Sequence, residues 1–153
     1  MPPSLVGDAV AAAQQFRVFI HPATGLPIDR LSRMSPYERR LLRRIVRDRH
    51  TRNGSAAETI MRWPSVRRGE TIHVYPFLAR ADAIFDSSLI YQPAVIEVYA
   101  ERYLLEVPRR HPAAATAHRL RQLVDHFVAI DPDHVPPTSI LREFIGGSSF
   151  DGR

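Results

Sequence analysis

Between Ser35 and Gly54 the chain is committed to one helix with two unlike sides. In Ser35-Pro36-Tyr37-Glu38 the serine can cap, the proline suits the first helical position, and the glutamate completes a capping box. Asn53-Gly54 supplies a stop, so the spacing predicts a helix running to about Arg52. On a 3.6-residue wheel Leu41, Leu42, Ile45 and Val46 share one side. Arg40, Arg43, Arg44 and Arg47 take the i, i+3, i+4 and i+7 positions of an adjacent stripe. Residues 38–52 hold seven of the chain's 21 basic residues, offset only by Glu38 and Asp48. That local charge of +5 equals the formal net charge of all 153 residues.

Four guanidinium groups on one helical edge repel one another unless something anionic lies among them. They stay charged at any working pH and present forked donors that match phosphate oxygens. The pattern leaves three readings open: a solvated face balanced by distant carboxylates, a site for a nucleotide polyphosphate, or a surface for an RNA or DNA backbone. The stretch has no aromatic residue past Tyr37, whereas interleaved aromatics mark single-stranded nucleic-acid binding.

Elsewhere, Phe16–Ile20 and Ala81–Phe85 read as short buried strands. Roughly 60 residues of helix and loop lie between them, which suits neighbouring strands of a parallel sheet. Leu5–Gln15 can form a helix, and 21–35 reads as loop. A second helix opens at Ser55 and is expected to end near Trp63-Pro64, because a residue before proline avoids the helical region; Pro64 then starts a new turn. Val95–Val107 and Ala113–Val128 read as amphipathic helices. The last short helix is entered through Thr138 or Ser139 and closed by Gly146-Gly147. The expected class is α/β and helix-rich, with few short parallel strands, as one domain over 1–153.

Composition removes several chemistries. Without cysteine there is no disulfide, thiolate nucleophile or zinc–thiolate site. All 21 basic residues are arginine, so Schiff-base chemistry, a lysine base and the lysine of a phosphate-binding P-loop are excluded. No apolar run approaches the roughly 20 residues of a membrane span, and the N-terminal sequence lacks the marks of a signal peptide. The expectation is a cytoplasmic protein with no membrane partner. His118 and Asp125 with His126 could face one another on a helix, but no three-ligand set is visible, and no metal site is expected. Glu97 and Glu101 are expected to be exposed. Ser148 and Ser149 have no partner base at a readable spacing.

Four blocks in order, RRLLRRIVRDRHTR, SAAETIMRWPSVRRGE, YPFLARADAIFDSSLIY and PPTSILREFIGGSSF, carry a resemblance. Together, over roughly residues 16–150, the chain resembles the C-terminal, lid-containing half of bacterial uridine kinase-like nucleoside kinases, in the phosphoribulokinase/uridine kinase group of P-loop kinases. The resemblance implies a partial P-loop-kinase-like three-layer fold, with the lid at about 34–80. It implies ATP-dependent phosphoryl transfer to a nucleoside, with ATP and Mg2+ as the cofactors. Arg43, Arg44 and Arg47 would be catalytic; Arg40, Asp48, Arg52 and Arg67 would join them in binding phosphate or nucleotide. Spread positive charge around a transferred phosphoryl group is what such chemistry needs.

The departures are also specific. No GxxxxGK[ST] can be written in this chain, so it is expected to be inactive alone. Asn53 stands where the family has glycine, Asp86 where it has asparagine, and Gln92-Pro93 where it has Glu-Leu. The expected partners are a nucleotide or nucleoside, and either a separately encoded P-loop half or a second copy. The alternative is a non-catalytic arginine-rich module that binds a nucleotide, RNA or an acidic protein.

Overall fold

The computed structural model describes residues 10–30 and 32–150. In chain order it places β1 (Val18–His21), β2 (Leu26–Pro27), β3 (Arg33–Met34), α1 (Pro36–Arg52), α2 (Ala56–His73), β4 (Ala83–Asp86), α3 (Gln92–Leu105), α4 (Ala114–Val124) and α5 (Arg142–Ile145). The described residues are thus helix-rich with a small parallel sheet, an α/β arrangement. Residues 5–9 of the helix expected at Leu5–Gln15 lie outside the described residues; over 10–15 the chain makes only a single 3-10 turn, Ala12–Gln14, and no α-helix.

The first helix begins and ends as its sequence demands. Ser35 Oγ accepts from the Glu38 N–H at 3.2 Å, and Glu38 Oε2 accepts from the Ser35 N–H at 2.8 Å. Asn53 closes the helix in the left-handed conformation, at φ 50°, which asparagine tolerates better than most residues. The same reciprocal cap recurs at Ser55 and Glu58 and starts α2. Glu58 therefore has a structural task here.

Helix α1 is the hub of the fold, packing on α2, α3 and α5, while α3 packs on α4. Leu41, Leu42, Ile45 and Val46 are buried in one core with Val95, Ile96 and Leu104 of α3, Leu120 and Val124 of α4, and Phe144 and Ile145 of α5. Each such side chain is worth about 1.5–3 kcal/mol on burial. Segment 34–80, the expected lid, contributes Met34, Ala56, Ile60 and Trp63 to that core as well. His50 fastens α1 to its neighbours through Nδ1 at 3.0 Å from the Phe144 carbonyl and Nε2 at 2.9 Å from the Tyr103 hydroxyl.

Helix α4 stops at Val124 rather than Val128, and α5 starts at Arg142 rather than after Thr138 or Ser139; four larger expectations need correction. Helix α2 does not end at Trp63-Pro64 but runs through it to His73. Pro64 sits on the exposed side of the helix, while Ile60 and Trp63 are buried, so packing of the inner face overrides the one lost backbone hydrogen bond. The stretch 21–35 is not all loop: β2 and β3 pair antiparallel, Leu26 against Met34. The turn between them is tied by the Ser32 N–H donating to Asp29 Oδ1 at 2.6 Å. Glu97 and Glu101 are half-buried rather than exposed; burial, then the charges of Glu101 and Asp125, push the Glu97 carboxyl upward.

The fourth correction concerns the sheet. β1 and β4 pair parallel with Val18 opposite Ala83 and His21 opposite Asp86, as their spacing implies. They are not buried strands, however: Ile20 is 66% and Ile84 62% exposed. Parallel sheets normally carry helices on both faces, and among the described residues this one has no other strand beside it.

What holds the sheet is a polar clasp at the C-terminal ends of both strands. The Asp86 carboxylate accepts from the Ala23 N–H at 2.9 Å, the Thr24 N–H at 3.1 Å and the Ser88 N–H at 2.9 Å. Hydrogen bonds from Ser88 and Thr24 outweigh burial and hold this carboxyl well below the usual carboxylate range. Arg39, fully buried, completes the clasp from α1: its Nη2 donates to the Thr24 carbonyl and to Ser88 Oγ. Asp86, a departure from the resembling family, thus anchors two loops to each other.

Candidate functional site

The clasp sets the end of β1 beside the arginine edge of α1, and a cleft of about 300 Å³ opens between them. Arg40, Arg43, Arg44 and Arg47 line it together, as their wheel positions predict. The remaining walls come from elements the sequence does not place there: Ile20, His21 and Pro22 at the end of β1, Trp63, Glu70 and Val74 on and after α2, and Phe144 of α5. Ligands of open α/β sheets sit outside the carboxyl ends of the strands, and this cleft has that position.

The four arginines are not equivalent. Arg40 is paired with Glu70. Arg44 Nε lies 3.3 Å from Asp48 Oδ2, and Arg47 lies 3.8 Å from Asp48 and 3.4 Å from Glu143. Arg43 has no ion pair among the described residues, yet it is only 8% exposed, and its Nε and Nη2 have no hydrogen-bond partner. Its guanidinium carbon lies 5.5 Å from the Phe144 ring centroid. Burial, reinforced by Arg39 and Arg40, pulls its pKa down to about 10. It is still a full cation at neutral pH, with no carboxylate in ion-pair contact and only the more distant charge of Glu143 to offset it.

The other expected binding residues lie outside the cleft wall. Asp48 is buried behind it as shared counter-ion of Arg44, Arg47 and Arg52, the last at 3.3 Å. Arg52 itself is largely exposed at the end of α1. Arg67 stacks over the Tyr37 ring, 4.1 Å from its centroid.

His21 and Glu70 are residues of the site that sequence reasoning missed. Burial, then the Arg40 charge, lowers the His21 pKa below its ordinary 6.5, so the imidazole is neutral at neutral pH. Its Nε2 lies 3.5 Å from the Tyr75 hydroxyl. Neither residue carries a local signal, because the cleft exists only once β1 meets α1 and α2. Arg39 did carry one: it is in phase with Leu42 and Val46 at i+3 and i+7, which marks it as inward-facing.

No group of three or more His, Asp or Glu side chains able to hold a metal ion occurs among the described residues. Four guanidinium groups make the cleft a place for an anion and not for a bare cation. No helix among the described residues is long and apolar enough to cross a membrane.

Fold and cleft together define a helix-rich α/β chain with a concave, arginine-lined site. No family model, curated protein or solved structure matches this chain.

Proposed function

We propose that the cleft binds phosphate groups of a nucleotide, and that the chain is a uridine kinase-like protein whose arginines serve ATP-dependent phosphoryl transfer to a nucleoside. The observation that carries the phosphate reading is Arg43, buried and unpaired in a cleft that three further arginines line. A buried cation without a partner is costly, and a phosphate relieves that cost by accepting from its free donors. The nucleoside, ATP and Mg2+ come from the sequence resemblance. On this reading Arg43 binds the phosphates directly, and Arg44 and Arg47 add donors as they exchange their carboxylates for phosphate oxygens, while Arg40 stays on Glu70. The three-layer kinase fold belongs to the same reading, with the uncovered faces of β1 and β4 completed by a polypeptide that carries the P-loop.

The P-loop lysine must come from outside these 153 residues, since they contain none. The chain alone therefore binds nucleotide and does not turn it over. Titration with Mg·ATP can be followed through Trp63, the one tryptophan of the chain and a residue of the cleft wall. Charge-assisted hydrogen bonds are worth about 1.5–3 kcal/mol, so Arg43→Met should weaken binding roughly ten- to a hundredfold. Equal affinity in wild type and variant overturns the site assignment. Single-stranded RNA binding more tightly than Mg·ATP, with loss of both in Arg43→Ala/Arg47→Ala, would favour the non-catalytic module instead. Turnover of uridine by the isolated chain at ordinary kinase rates would refute the dependence on a second polypeptide.

A further inference from the structure

Arg43, Arg44, Arg47 and Glu70 of the cleft each keep a buried side-chain atom without a hydrogen-bond partner. Arg44 Nε and Arg47 Nε lie near Asp48, which leaves Arg43 and Glu70, groups of opposite kind. Arg43 offers donors at Nε and Nη2, while Glu70 offers an acceptor, Oε2, that has no hydrogen-bond partner. Glu70 is as buried as Arg43, at 8% exposure, and its other oxygen is held by Arg40. A fully ionised phosphate monoester such as methyl phosphate answers only half of this arrangement: it has acceptors for Arg43 and no donor for Glu70 Oε2, which stays unpartnered in a desolvated site.

A ligand with both an anionic group and a hydrogen-bond donor answers both halves. The donor is best uncharged, because four guanidinium groups around the same space repel an ammonium. A hydroxyl meets that condition. Trp63, Val74 and Phe144 add apolar side chains to the cleft lining, against which a short carbon skeleton can lie.

We propose that the cleft selects a phosphate monoester of a polyol, with its phosphate on Arg43 and a hydroxyl donating to Glu70 Oε2. Glu70 is then the specificity-determining residue. The inference rests on the phosphate reading above and adds the second contact to it.

The test is a ladder of ligands on the full chain, read by Trp63 fluorescence and calorimetry: inorganic phosphate, methyl phosphate, glycerol 1-phosphate and ribose 5-phosphate. The two polyol esters should bind roughly ten- to a hundredfold tighter than methyl phosphate, the worth of one added hydrogen bond to a charged group. In Glu70→Ala that preference should vanish, while methyl phosphate binds as well or better because Arg40 is released. Equal affinity across the ladder in the wild type overturns the role of Glu70 and leaves the phosphate site standing. A polyol preference that survives Glu70→Ala overturns it too. Failure of all four ligands to bind overturns both readings. The wild-type ladder needs no variant, so a Glu70→Ala chain that fails to fold does not shelter the proposal.

Discussion

Replacing Arg43 with methionine should make the chain more stable and less able to bind phosphate. Methionine keeps an unbranched stem against the core and removes the guanidinium. A guanidinium whose pKa burial pulls down to about 10 carries about 3 kcal/mol against its charged form in the folded chain. Loss of the attraction to the Phe144 ring, at 5.5 Å, subtracts about 0.5–1 kcal/mol. The smaller side chain leaves a void that subtracts up to about 1 kcal/mol more. The balance is a gain of about 1–2 kcal/mol, or a rise in Tm of about 2–8 °C for a chain of this length. Urea and thermal unfolding without ligand measure it. The same melts with pyrophosphate supply the second half, because a ligand at a hundred times its Kd adds about 2.7 kcal/mol to a protein that binds it. Wild type should gain that increment, and Arg43→Met, binding roughly ten- to a hundredfold more weakly, only about 0.4–1.4 kcal/mol, so the variant's lead shrinks or is lost. A variant less stable than wild type without ligand, or one that pyrophosphate stabilises as much as wild type, refutes the reasoning.

Three further outcomes follow from the same contacts. Burial alone would raise the Glu38 carboxyl, but the Ser35 N–H, Arg119 and the Ser35 hydroxyl outweigh it and hold it below its ordinary 4.5. Its stabilisation is complete above about that pH and is lost as pH falls through the lower folded-state value; urea midpoints of Glu38→Gln should therefore decline less on acidification than those of wild type. Asp86→Asn removes the charge facing Arg39 and one acceptor oxygen of the clasp, so the thermal midpoint should drop, and an unchanged midpoint would show that the clasp does not hold the sheet. Gly69 lies inside α2 with no atom within 4 Å of where a Cβ would stand; Gly69→Ala should raise stability by about 0.5–1 kcal/mol by urea titration, and a loss would argue against a continuous helix there.

Local rules already settle α1 from sequence. Its cap, its stop, its apolar side and its arginine stripe all depend on residues within one or two turns, and each is found where helical spacing puts it. The parallel pairing of the two strands was legible for a similar reason, since few connections of that length permit anything else. Burial was not legible. FRVFI and ADAIF have the composition of core strands, but whether such strands are covered depends on which elements lie over them. Pro64 shows the same limit in a helix, because a breaking signal yields when the opposite face is well packed. Most of all, the charge stripe could not reveal which of its members is unpaired. Arg40, Arg44 and Arg47 find carboxylates on α1, α2 and α5, and Arg43 does not. That distinction arises between residues up to about a hundred positions apart in the chain, where the pairing of charges is decided by packing and by distance in space, neither of which the helical repeat of the sequence encodes.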